Sequence, residues 1–335
     1  MIKKIKKEYR IYRNYFRDYK CTRAYQVRLY NAMVYNTSNY TVDKQITNHW
    51  LYRFLVNRVK VQDYTKKHIA VFGPGRRKTF LLDHSPIKIY YTAENNHVQW
   101  SLWQECEDML LNEKSLSLSL GFDYINHSKY LRFPYWLMAH FSPEATYEEI
   151  KKWCEKINNP NPTDRNKFCA LICRKDYFKD RIFFLNQVNT IANVNCPGDF
   201  CHNDDNLKTI FNDDKQLYLQ QFKFNLCPEN SNNIGYVTEK IFDAHLGGCI
   251  PIYWDSGNNP EPEILNKDVV IFLNHSTFYK INVNDSVGGN NEKVLKQIDD
   301  LWTSPSQYKD FAMQPRLLPD APEIIYGYFE KLEKK

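Results

Sequence analysis

FKFNLCPENSNNIGYVTEKIFDAHLGGCIPIYW, residues 222–254, reads as one strand–loop–helix–strand unit. The run 222–227 is short, aromatic and apolar, and it stops at Pro228-Glu229-Asn230, residue types that break a strand and open a loop. A helix is predicted over 237–246, closed by Gly247-Gly248, where a glycine supplies the left-handed stop that other residues resist. The run 249–254 is again strand-like. A strand, a helix and a second strand in this order argue for a parallel sheet covered by helices.

The same alternation extends in both directions. Strands are predicted at 68–72, 87–92 and 116–122, and in the second half at 168–173, 190–195 and 268–273. Arg181, Phe184, Leu185 and Val188 fall at helical spacing over 181–188. A short helix over 147–157 is followed by the Asn/Pro-rich stretch NNPNPTDRNK at 158–167, the best joint in the chain. A chain of 335 residues exceeds what one core ordinarily serves. The expected fold is α/β, with two Rossmann-like domains facing a cleft. Its expected parts are a basic segment 1–50, an N-terminal domain 51–155, a C-terminal domain 156–318 and a terminal helix 319–335. In such sheets ligands sit beyond the carboxyl ends of strands, which directs attention to Glu94-Asn95-Asn96 after 87–92, Asp123 after 116–122, and Pro228-Glu229-Asn230.

Apolar residues make up 43% of the chain and aromatic ones 15%, so extended disorder is excluded. The net charge of +6 is unevenly placed. Residues 1–30 hold ten Lys and Arg against Glu8 and Asp18, which leaves the remainder close to neutral. Three readings of this start stand side by side: a solvated helix face or tail, a surface for anionic membrane or an acidic partner, and a nucleic-acid arm. No nucleic-acid motif accompanies the charge, so no nucleic-acid partner is expected. No apolar stretch follows the charged start, and no run reaches the roughly 18 residues of a membrane helix. The nine scattered cysteines suit a reducing compartment. A cytoplasmic protein is the expectation, with peripheral membrane contact through residues 1–30 as one of the readings of its basic start.

Chemistry concentrates in the stretch that opens this section. A helix starting near Tyr236-Val237-Thr238 offers N–H groups and a positive dipole end to a phosphate, with Lys240 adding charge and Glu239 accepting from ribose hydroxyls. The same residues also describe a plain capped helix in which Thr238 is the cap. The residues alone leave these two readings open. Three negatives narrow the ligand. The chain has no GxGxxG, no GxxxxGK[ST] and no Asp-x-Asp, so no dinucleotide fingerprint, P-loop or metal-holding carboxylate pair is present. A diphosphate bound here must be neutralised by Arg181 and Lys240, with Arg174 and Lys175 behind them.

The run FKFNLCPEN…GYVTEKIFDAHLGGCIPIYWDS resembles the signature of glycosyltransferase family 10, the α1,3/1,4-fucosyltransferases, most closely its bacterial branch. FGPG at 72–75, IYYTAEN at 89–95, GFDY at 121–124 and YLRFPYW at 130–136 match that family's landmarks in order. The resemblance covers roughly 60–320 and implies the GT-B type of that two-domain fold and a glycosyltransferase that moves L-fucose from GDP-fucose, with inversion, to an oligosaccharide or glycoconjugate acceptor. An α1,3 linkage to a GlcNAc-type sugar is the implied product. Glu94 aligns with the family's general base. Arg181 aligns with the arginine on the diphosphate, Lys240 and Tyr236 with its partners, and Glu239 with the ribose-binding glutamate. Asn225, Glu229 and Asn230 fall where the family lines its donor pocket. Asn95 and Trp100 are assigned to the acceptor side, where Trp100 and Trp103 offer rings to a sugar. No metal is required on this reading, divalent cations at most stimulating. The chain departs from the family at Ala93, at His97-Val98-Gln99-Trp100 and at Pro228; His97 itself is read as a surface residue. Two other readings are a transferase for another GDP-sugar and an inert glycan-binding or membrane-surface protein on the same scaffold.

Overall fold

The structure is a computed structural model, and it describes residues 9, 12, 13, 15, 16, 19, 20, 27–30, 46–60, 68–74, 77–95, 97, 111–160, 165–275 and 290–335. The chain forms two compact units, Met1–Ala145 with Gly327–Lys335, and Thr146–Tyr326. The division therefore precedes the Asn/Pro-rich stretch, and the helix predicted at 147–157 belongs to the second unit.

Unit 1 is built on β1 (Val27–Tyr30), β2 (Ile69–Phe72), β3 (Ile87–Tyr91), β4 (Leu118–Gly121) and β5 (Tyr130–Arg132). All neighbours are parallel and the order is β1-β2-β3-β4-β5. Every residue of β2 and β4 is buried, as expected for a parallel sheet covered on both faces. Tyr30 stands opposite Phe72, and their rings stack at 4.9 Å between centroids. Neither β1 nor β5 is among the predicted strands. β1 lies inside 1–50, the stretch set apart on charge, and its Arg28 disguises an apolar strand. β5 is only three residues long. The carboxyl ends of β3 and β4 lead directly into Glu94 and Asp123.

Unit 2 contains β6 (Lys167–Ala170), β7 (Val194–Asn195), β8 (Phe222–Leu226), β9 (Ile250–Tyr253) and β10 (Ile271–Phe272), all parallel, in the order β10-β9-β8-β6-β7. The chain steps outward from β6 to β7, then returns to the other side of β6 with β8. That reversal makes the gap between β6 and β8 the topological switch point, where the carboxyl ends of the strands leave a crevice. The helices of this unit include α1 (Tyr147–Asn158), α2 (Asp180–Val188), α3 (Lys215–Leu219), α4 (Lys240–Leu246) and α5 (Glu292–Thr303). α1 opens on a capping box in which Thr146 and Glu149 exchange hydrogen bonds. Side chains alternate across the sheet: Cys169 joins Phe184, Phe224, Trp254 and Ile298 in one core cluster, and Ala170 joins Tyr218, Phe222 and Cys249 in the other. The last helix, α6 (Ala321–Glu333), is divided between the units at Tyr326 and Gly327. Among the described residues, no helix is long and apolar enough to cross a membrane.

The helix predicted at 237–246 starts only at Lys240. Tyr236 to Glu239 precede it as a loop. Its end agrees with the glycine signal, since Gly248 takes φ +77°, and a Cβ there would meet the Arg165 guanidinium at 2.0 Å.

Candidate functional site

Beyond the carboxyl ends of β6 and β8 lies an open pocket. Leu171, Ile172 and Cys173 line it from the β6 side, and Asn225 through Pro228 from the β8 side. Arg181 from α2, Lys215 and Leu219 from α3, and Glu239, Lys240 and Asp243 from α4 and its start complete the wall. The switch point thus collects Arg181, Asn225, Glu239 and Lys240, four of the residues assigned to the donor. Asn225 is 4% exposed, and its Nδ2 donates to the Ala170 carbonyl at 2.8 Å. It ties the two strands together where the sheet splits.

Glu229 is assigned to the donor as well, but the structure turns it inward. Its side chain is fully buried and accepts four hydrogen bonds. The Thr238 N–H donates at 2.8 Å, the Thr238 Oγ1 at 2.6 Å, the Lys240 Nζ at 2.8 Å and the Tyr253 OH at 3.3 Å. Burying a carboxylate without partners is prohibitively costly, and this set of donors removes that cost. The arrangement also explains why α4 starts late. Thr238 does not cap the helix; its N–H and hydroxyl are both committed to Glu229, and its Oγ1 accepts from Lys240 Nζ at 2.7 Å.

Lys240 is therefore fixed by two of its three donors, which leaves one for a ligand. Burial pulls its ammonium downward, but the charges of Glu229 and Glu239 outweigh that and raise it above the ordinary lysine value. Burial alone raises Glu239, yet Lys240 and the hydrogen bonds around it bring its carboxyl below the ordinary range. Glu239 is an ionised acceptor on the pocket wall, 3.9 Å from Lys240 Nζ. Lys240 arrives with its own counter-charge, so what it offers is a directed N–H rather than surplus charge.

The surplus charge belongs to Arg181. The residue is 8% exposed, and its guanidinium donates to Asn230 Oδ1 and to the Lys175 carbonyl. Both partners are neutral, and among the described residues it forms no ion pair. Two of its five donors hold the fork in place, and the rest remain for an anion. Asn230 thus reaches the site through Arg181. Tyr236 is 2% exposed and packs inside the loop that carries Thr238; it is not on the pocket wall.

Two residues that sequence reasoning left without a role pin this loop. Asp255 Oδ1 accepts from the Asn233 N–H at 2.7 Å, and Ser256 Oγ accepts from the Gly235 N–H at 2.9 Å. Burial, reinforced by the charge of Glu229, raises the Asp255 carboxyl well above the ordinary carboxylate range. Their signal was the Asp-Ser that directly follows IPIYW at 250–254, legible as a motif but silent about its partner.

In unit 1, Glu94 follows the end of β3 in a tight turn. Its N–H donates to Thr92 Oγ1 at 3.1 Å, and the Thr92 hydroxyl donates to the Glu94 carbonyl at 3.1 Å. The Glu94 side chain is half-buried, and Asn95 is buried with its Oδ1 accepting from the His97 N–H at 3.0 Å. His97 is exposed, and its Nε2 lies 2.7 Å from Asp123 Oδ1. This contact joins the loop after β3 to the loop after β4. Trp100 and Trp103 lie outside the described residues.

Residues 161–282 match the family described as glycosyltransferase family 10 (fucosyltransferase), C-terminal part. The alpha-(1,3)-fucosyltransferase FucT of Helicobacter pylori is 27% identical over 232 residues, which are 64% of this chain and 48% of that protein. The chain therefore spans about half the length of that relative. A crystal structure of an alpha1,3-fucosyltransferase superposes with a TM-score of 0.50 at 19% identity, covering 80% of this chain and 78% of the other. At that identity the likeness is one of fold, the GT-B type expected from the sequence. A crystal structure of alpha1,3-fucosyltransferase with GDP-fucose gives a TM-score of 0.48 at 20% identity, covering 76% of this chain and 79% of the other.

Proposed function

We propose that this chain, whose residues 161–282 match glycosyltransferase family 10, transfers L-fucose from GDP-fucose to a sugar hydroxyl. The observation that carries the reading is the convergence of Arg181, Glu239 and Lys240 at the switch point of unit 2, with Lys240 held in place by Glu229. Arg181 and Lys240 hold the diphosphate, and Glu239 accepts from the ribose hydroxyls. Asn225 and Asn230 order the strand ends and the guanidinium around them, and Tyr236 supports the loop from beneath. In the reaction, an acceptor oxygen attacks the anomeric carbon as Glu94 takes its proton. The bond from that carbon to the diphosphate oxygen breaks on the opposite face, so configuration inverts. GDP departs with its new charge already faced by Arg181 and Lys240, and no protonated acid is needed.

These cationic side chains, in a chain without Asp-x-Asp, support a reaction that needs no metal. The acceptor is an oligosaccharide or glycoconjugate, with the α1,3 position of a GlcNAc-type sugar as the first choice and Asn95 and Trp100 on its side. A cytoplasmic site of action fits the cysteine usage.

The test is to incubate the chain with GDP-fucose and a panel of N-acetyllactosamine-type acceptors and to measure GDP release with and without EDTA. Acceptor-dependent release that survives EDTA is expected. GDP binding without release for any acceptor overturns the fucosyl-transfer reading, and release from a different GDP-sugar assigns the site to that donor. Loss of turnover in EDTA overturns the metal-free mechanism alone.

A further inference from the structure

The basic start of the chain carries a second, separate feature. Residues 9, 12, 13, 15, 16, 19 and 20 are helical. Tyr15 and Tyr19 face inward against the unit 1 core, where Tyr15 stacks on Tyr30 at 5.8 Å and the Arg28 guanidinium lies over the Tyr19 ring at 5.1 Å. The other face is aromatic and exposed: Tyr9 is 69% exposed, Tyr12 49% and Phe16 62%. Arg13 and Lys20 are exposed beside them. At about 100° per helical residue, Tyr9, Tyr12, Arg13, Phe16 and Lys20 share an arc of roughly 100°.

Three large rings on one helical face find no use in a core that Tyr15 and Tyr19 already serve. Contiguous exposed rings mark an interaction surface. The charge identifies its partner. Ten basic residues against two acidic ones in the first thirty attract an anionic surface. Of these, Arg28 is committed to Asp83 at 3.3 Å and does not count. Nucleic acid also attracts basic segments, but readers of single strands stack bases in a groove, and these rings stand on a convex helix. A bilayer interface takes both features at once, since Tyr and Phe side chains seat at the headgroup boundary while Lys and Arg meet anionic lipid.

We infer that the face formed by Tyr9, Tyr12, Arg13, Phe16 and Lys20 docks the chain in-plane on an anionic lipid bilayer. The inference is independent of the donor chemistry.

The experiment is sedimentation of the full chain with sucrose-loaded vesicles of phosphatidylcholine alone, and of phosphatidylcholine with phosphatidylserine, at low and high salt. Binding to the anionic vesicles is expected, weakened by salt and at least tenfold below that level on phosphatidylcholine. The triple variant Tyr9→Ser, Tyr12→Ser, Phe16→Ser and the double variant Arg13→Glu, Lys20→Glu each lower the partition about tenfold or more, given roughly a fivefold effect per basic residue. All substituted side chains are exposed, so thermal unfolding is expected to match the parent. Absence of binding to anionic vesicles overturns the inference, as does binding that the triple variant leaves unchanged. Binding to single-stranded oligonucleotide without binding to vesicles reassigns the face to nucleic acid.

Discussion

Glu229 is a fully buried carboxylate whose four donors come from a backbone amide, a threonine, a lysine and a tyrosine. Its value to the site lies in fixing Lys240, and that sets its cost when removed. Glu229→Ala leaves a lysine ammonium and a tyrosine hydroxyl facing an apolar hole, and breaking a buried pair in this way costs about 3–5 kcal/mol. Glu229→Gln keeps the shape and some of the acceptors and costs less. Urea denaturation of the two variants checks this order; an unchanged midpoint for Glu229→Ala contradicts it. Glu94 answers to a different test. It lies in unit 1 and the donor residues in unit 2, so Glu94→Ala removes transfer while calorimetry returns the parent affinity for GDP. The residue types at both positions were legible in the sequence. The direction of the Glu229 side chain was not, because a loop has no periodicity from which to read inside and outside. For the same reason His97, read as a surface residue, gave no sign of its contact with Asp123.

At the scale of elements, the apolar runs of unit 2 and the middle of unit 1 were readable because a buried parallel strand is apolar on both faces. β1 and β5 were missed because four residues with an arginine, and three residues in an aromatic cluster, carry too little pattern. The start of α4 was misplaced by a tertiary effect: Glu229 captures the N–H and hydroxyl of Thr238, which local signals assign to a cap. The far end of α4 holds His245, which is 2% exposed and has both ring nitrogens without a hydrogen-bond partner. Arg316 donates to the carbonyls of His245 and Gly248 at 2.6 and 2.9 Å. Burial, and then the Arg316 charge, hold the imidazole well below its ordinary value. Above about pH 6.5 the ring is neutral in both the folded and unfolded chain. As pH falls below that, only the unfolded chain takes up the proton, so stability drops by about 1.4 kcal/mol per pH unit toward the folded-state value. His245→Phe removes this slope. Urea midpoints between pH 7 and pH 5 read the effect as a difference between variant and parent; parallel profiles contradict it.

The whole molecule divides its charge as it divides its chain. The basic residues of the first thirty are segregated from a nearly neutral remainder, while the switch-point pocket pairs two of its three lining cations with carboxylates. Lys215 pairs with Asp243 at 3.5 Å, and Lys240 pairs with Glu229. Arg181 is the exception. The sequence pairs it with Lys240 as an expected clamp, and the two differ in setting: Arg181 is held by the neutral partners Asn230 and the Lys175 carbonyl, Lys240 by Glu229. In the proposed reaction this pair holds a diphosphate without a metal. Calorimetric titration of GDP and GMP into EDTA-treated protein tests it, because the two ligands differ by one phosphate. Charge-assisted hydrogen bonds of about 1.5–3 kcal/mol predict that GDP binds roughly tenfold to a hundredfold more tightly than GMP, and that Arg181→Ala or Lys240→Met closes most of the gap. Equal affinities for GDP and GMP, or binding of GDP that EDTA abolishes, contradict it.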